Sequence, residues 1–104
     1  MKIQIFDKSL EKFIASLGKS TIAKVLRTIN LLELFGPQLE MPHVKKISNG
    51  LFELRIEGKQ KIRIFYTFYK DEIVLLHSFI KKSTKTPKKE INNAFAKLKH
   101  LTEV

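Results

Sequence analysis

Cysteine and tryptophan are missing from the 104 residues. Without cysteine there is no disulfide, no cysteine-ligated zinc and no thiol nucleophile, and a reducing cytoplasm is the expected setting. Glycine occurs only four times and proline three. No glycine-rich phosphate loop is present, nor the HExxH or GxSxG patterns of metallopeptidases and serine hydrolases. Long apolar runs are also missing. The longest, Ile73-Val74-Leu75-Leu76, has four residues, whereas a membrane-spanning helix needs about 20. The start of the chain turns polar at Asp7, too early for a signal peptide. Acidic residues are scarce: 10 against 20 Lys and Arg, a net charge of +10. Three scattered histidines (His43, His77, His100) form no ligand spacing, so no metal site and no cofactor are expected.

What is present suits one folded domain over 1–104. Hydrophobic residues make up 43% and charged residues 29%, a globular balance with enough apolar side chain for one core. The excess of cations suits a polyanionic partner, since neutralising phosphates releases counterions. Plain solubility by net charge is the other reading of the same number.

Periodicity places the elements. Residues 2–6 alternate and read as a short strand. Asp7 or Ser9 suits a helix cap before Leu10, Phe13, Ile14 and Leu17, which follow helical spacing, with Gly18 at C′. A second helix follows Ser20, with Ile22, Val25, Leu26, Ile29 and Leu32 on one stripe and Gly36-Pro37 at its end. The period then changes to two. A short strand around Val44–Ile47 precedes runs at 52–57, 62–68 and 73–80, joined tightly as an antiparallel meander. Thr86-Pro87 opens a last helix, Pro at N1, with the stripe Ile91, Phe95, Leu98 and Leu101. The order β-α-α-β-β-β-β-α predicts an α+β fold whose helices cover one sheet face.

Parity then sets a register. Leu54 and Ile56 must share the buried face with Ile62 and Ile64, so the intervening loop is odd and centred on Lys59. Leu54 falls opposite Ile64, and Arg55 directly opposite Arg63. Like charges in such a cross-strand pair are destabilising. An anion bound between them would offset the repulsion; so would splaying into solvent, or neutralisation by Glu53 and Glu57 on the same strand. If Arg55 and Arg63 flank a phosphate, Arg63→Ala should leave the fold intact and relieve the cross-strand repulsion. A second basic feature is Lys81-Lys82-Ser83-Thr84-Lys85-Thr86-Pro87-Lys88-Lys89, with five lysines in nine residues and no acid. It reads either as a solvated loop or as a phosphate-binding segment at a helix start. Tyr66 falls on the buried face, and His77 lies in an apolar strand.

The strings Leu54-Arg55, Lys61-Ile62-Arg63-Ile64-Phe65-Tyr66, Leu75 through Ser83, Lys85-Thr86-Pro87 and Glu90-Ile91 with Ala94 resemble the RelE/ParE toxin superfamily. They are most similar to its HigB-like, phage-associated branch of type II toxin–antitoxin systems. The resemblance covers the C-terminal half, and the N-terminal strand and helical pair agree with it in order. It implies a RelE-like fold, with two N-terminal helices on one face of a small, mostly antiparallel sheet and a C-terminal helix. It also implies a ribosome-dependent endoribonuclease acting on translated mRNA, and a helix-turn-helix antitoxin as partner. Carried across, Arg63 matches the family's central-strand arginine and Arg55 a basic position on the preceding strand. Lys82 and Lys85 fall near its basic positions after the last strand, and the histidine that some relatives use in catalysis would correspond to His77. No tyrosine follows Tyr69, so the tyrosine that many relatives carry near the C-terminus has no counterpart.

The chemistry implied is attack of a 2′-OH on the adjacent phosphorus without a metal. Arg55 and Arg63 are suited to clamping the phosphate with forked donors. A lysine crowded by other cations loses its proton more easily, which points to Lys82 or Lys85 as base. Lys61, Lys81, Lys88 and Lys89 complete the set of expected RNA contacts. A ParE-like gyrase inhibitor without chemistry, or a generic nucleic-acid-binding module, would carry the same charge. An exposed apolar stripe on the first two helices would favour the inhibitor.

Overall fold

A computed structural model describes residues Met1–Glu103. It is α+β, and the elements follow the expected order. β1 spans Ile3–Ile5, α1 Lys8–Ala15 and α2 Lys19–Phe35. A 3-10 turn at Gly36–Gln38 leads on to β2 (Val44–Ser48), β3 (Leu51–Ile56), β4 (Ile62–Tyr69), β5 (Glu72–Ile80) and α3 (Lys88–Thr102).

The sheet has the order β1-β5-β4-β3-β2. β2 to β5 form the meander, each strand antiparallel to the next, and β1 pairs parallel with β5, Ile3 facing Ile73. The parity argument holds at every position. Leu54 lies opposite Ile64 and Arg55 opposite Arg63. A bulge between Phe65 and Tyr66, opposite β5, bends the two longest strands and turns both Leu76 and His77 toward one face.

Alternation splits the core in two. Leu54, Ile56, Ile62, Ile64, Tyr66, Ile73 and Leu75 pack under Leu10, Leu17, Val25 and Leu32 of the N-terminal helical pair. Phe52 and Phe68 pack around the Tyr66 ring at 5.5 and 5.7 Å, and burial pushes the Tyr66 hydroxyl's pKa up. On the opposite face Leu51, Phe65, Val74, Leu76 and Phe79 pack against Ala94, Ile91 and Leu98 of α3. The helices therefore do not all cover one face: α1 and α2 take one, α3 the other. Leu51, Phe65 and the bulged Leu76 leave an apolar strip there that would otherwise meet water.

Two helix termini also differ from expectation. Asp7 caps α1 by accepting from the Leu10 N–H at 3.4 Å, and Ser9 donates to the same carboxylate at 2.6 Å. Gly18, however, is the N-cap of α2 in extended backbone (φ −64°), not a left-handed C′ residue. The glycine of positive φ at a helix end is Gly36, φ 51°, closing α2. Pro87 sits at the N-cap of α3, one residue before the N1 position.

Candidate phosphate-binding groove

The face that α3 covers is only partly covered. Beyond the α3 N-terminus, β2, β3 and the segment after β5 frame a concave groove of about 350 Å³. Glu53 and Arg55 form its floor, Lys45 and Lys46 one wall, and Lys81, Lys85 and Thr86 the other. Strand alternation puts Glu53, Arg55, Arg63 and Lys81 on this face, because the even positions of β3 and β4 are taken by the core.

The question left open by the arginine pair has a definite answer. The anion between Arg55 and Arg63 is the protein's own. Glu53 is 2% exposed, and its Oε1 lies 3.8 Å from the Nε of each arginine. Its other oxygen accepts from the Thr86 hydroxyl at 3.2 Å, which ties the lysine-rich segment to the sheet. Arg63, also 2% exposed, donates to Glu57 at 2.8 Å and to the Ile62 carbonyl at 3.1 Å. It is a buried, paired residue, which overturns the expectation that its removal relieves strain. Neither Nε has a hydrogen-bond partner, since 3.8 Å is beyond bonding range. Two buried N–H donors therefore remain unused beside the groove. Arg55 is the accessible member, its side chain 24% exposed.

Lys81 stands out among the cations. Burial lowers its pKa most and the Arg63 charge next; Arg55 and Lys45 add to the shift, and Glu53 opposes it. The crowding expected of Lys82 or Lys85 thus falls on Lys81. Lys85 lines the groove, while Lys82 and Lys61 line an adjoining hollow of about 520 Å³ that shares Lys81 and Thr84 with it. Lys88 and Lys89 stand exposed on the first turn of α3 and do not line the groove. His77 does not either. It bonds Glu90 of α3 at 2.8 Å and stacks on Phe79, so it fastens α3 to the sheet. Sequence reasoning missed Glu53 as a site residue. The signal was there: residues 53 and 55 share a strand face, so a carboxylate beside Arg55 follows from parity.

Fold and groove together define a class: a small, basic α+β domain that presents forked and ammonium donors on one sheet face. The chain belongs to the family described as "Phage derived protein Gp49-like (DUF891)", whose model matches residues 12–99. That family is one of RelE/ParE-like toxins of toxin–antitoxin systems, as the strand motifs led us to expect. The comparison with curated proteins returns no match.

Proposed function

We propose that the protein is the toxin of a toxin–antitoxin pair and a metal-independent endoribonuclease, HigB-like in its dependence on ribosome-bound mRNA. The observation that carries this reading is Lys81, a lysine with lowered pKa, beside the part-exposed Arg55 in a groove also lined by Lys45, Lys46 and Lys85. Cleaving RNA without a metal requires a base for the 2′-OH and cations for the charge that builds on phosphorus. In this reading neutral Lys81 takes the 2′-OH proton as the 2′ oxygen bonds to phosphorus. The bond from phosphorus to the 5′ oxygen breaks, and that oxygen leaves with a proton from a lysine ammonium of the groove, a role assigned here to Lys85. The products are a 2′,3′-cyclic phosphate and a 5′-hydroxyl. Arg55 clamps the phosphate, and Arg63 holds Glu53 and Arg55 in place from below.

The antitoxin in this reading is a helix-turn-helix protein whose acidic segment covers the groove. The gyrase-inhibitor alternative draws support from the end of α2. Leu34 and Phe35 are exposed there and Met41 just beyond, while Asn30 separates them from the exposed Leu26. The experiment is to induce the chain without antitoxin in bacteria and map new mRNA 5′ ends and plasmid supercoiling together. Growth arrest with new 5′-hydroxyl ends that disappear in Lys81→Met supports the reading. Arrest with altered supercoiling and no new ends overturns it in favour of the inhibitor.

A further inference from the structure

On the far side of Arg55 lies a second concavity of about 330 Å³, between α2 and the turn that leads into β2. Lys24 and Arg27 come from α2, and Pro42 and His43 from the turn. Arg55 lines both this hollow and the central groove. The two hollows therefore adjoin at Arg55, whose side chain faces the central groove and whose backbone N–H bonds the His43 carbonyl.

The composition of this hollow is unusual for a solvated helix face. Lys24 and Arg27 sit one turn apart, and among the described residues neither has an acidic partner. Lys24 instead reaches across to the Glu57 carbonyl at 3.4 Å, holding its ammonium over the end of β3. The His43 backbone is fixed on both sides: its N–H donates to the Glu40 carbonyl at 3.0 Å, and its carbonyl accepts from the Arg55 N–H at 2.8 Å. A flat ring on an anchored stretch of backbone, beside two cations without acidic partners, is what a single-stranded nucleic acid uses, bases stacking on the ring and phosphates on the cations.

We infer that the α2–His43 hollow is a second backbone subsite for the same single-stranded RNA, which continues from the central groove across Arg55 onto α2. This rests on the reading that the central groove takes an RNA phosphate. A strand crossing Arg55 meets Lys81, Lys85 and Lys45 on one side and Lys24 and Arg27 on the other. Among the residues lining the two hollows only Glu53 and Glu57 are acidic, and both already face arginines.

The test is binding by the full chain of 2′-O-methyl oligouridylates, which it cannot cleave, of about 4 and about 12 nucleotides. The variants are Lys24→Gln/Arg27→Gln and His43→Ala. The longer strand should bind the native protein more tightly than the shorter one. The double variant should lose about tenfold for the longer strand and little for the shorter. Its slope of log affinity against log salt should flatten by about 1.4, two single-strand phosphates' worth. His43→Ala should weaken the longer strand with no change of slope, since stacking releases no counterion. Equal affinity for both lengths, or no binding of either, overturns the inference, as does a double variant indistinguishable from native. Tighter binding of a duplex overturns the single-strand assignment, and loss of binding only to a polyglutamate peptide points to a protein contact instead. None of these results depends on cleavage, so the nuclease reading stands or falls on the Lys81→Met 5′ ends.

Discussion

At the scale of single residues, the site is a balance of charges held in a tight space. Glu53 and Arg63 are each 2% exposed, and each is compensated by the other and by a neighbour. Removing one partner of such a set strands the remaining charge, which typically costs about 3 kcal/mol or more. Arg63→Ala is therefore expected to melt well below the native protein, because the buried Glu53 keeps only Arg55 as a charged partner, besides its Thr86 hydrogen bond. Glu57 is different. Its side chain is 54% exposed, so Glu57→Gln should cost about 1 kcal/mol or less. Paired thermal melts of the two variants check this; equal losses would show that burial is not what matters. Lys81 gives a second expectation. Its pKa lies below the usual lysine value, so the neutral base becomes available at lower pH than for a free lysine. In the nuclease proposed above, cleavage should rise with pH and level off before the ordinary lysine range, and Lys81→Gln should remove that limb of the pH–rate profile. The same shift has a stability consequence. Between the folded and unfolded pKa values the unfolded chain binds more protons, so stability rises with pH across that window.

At the scale of elements, much of the layout was legible in the sequence, for physical reasons that can be named. The β3–β4 register followed because a slip of one residue would send Leu54, Ile62 and Ile64 into water. The α1 start followed because Asp7 precedes a helical run and has a side-chain acceptor in reach. The face taken by α3 did not follow, since an apolar stripe shows that a helix is covered but not by which side of a sheet. The partner of β1 was equally hidden, because three residues carry no mark of a strand about 70 positions away. In the groove, Arg55 and Lys81 lay among the expected RNA contacts, but the lowered pKa of Lys81 was not foreseen. That shift depends on which side chain turns inward after β5. The cap itself is testable. Asp7→Ala should cost about 1 kcal/mol. Asp7 also pairs with Lys97 of α3 at 3.1 Å, so the variant should loosen both helices. The Ser9 hydrogen bond chiefly, with help from Lys97, lowers the Asp7 pKa. Its contribution is thus complete above the ordinary aspartate value and is lost as pH falls through the lowered one. Acid melting curves of native and Asp7→Ala protein should converge at the acidic end.

At the scale of the whole molecule, the charge is lopsided in a useful way. The cations of Lys45, Lys46, Arg55, Lys81 and Lys85 gather around one groove, while three of the acids, Glu53, Glu57 and Glu90, are already engaged with Arg55, Arg63 and His77. The groove therefore concentrates unpaired positive charge. Association with any polyanionic or acidic partner should be fast at low salt and slow several-fold or more as ionic strength rises, with dissociation less affected. Stopped-flow rates measured over a salt series check this, and a flat association rate would mean that the groove is not the contact.

The pairing of β1 with β5 also bears on how the chain folds. Ile3 must wait for Ile73, whereas β2 through β5 join neighbours along the chain and close small loops. Long-range pairing is slow because loop closure comes before the contacts that reward it. The meander is therefore expected to form first and β1 to dock last, after α1 and α2 have found the sheet. On a translating ribosome the first strand leaves the exit tunnel long before its partner exists, so no completed sheet can arise until most of the chain has been made. Pulsed hydrogen exchange during refolding should show late protection of the Phe6 amide, which bonds the Leu75 carbonyl at 2.9 Å, and earlier protection across β4. If the Phe6 amide is protected with the first phase, the two ends meet before the middle.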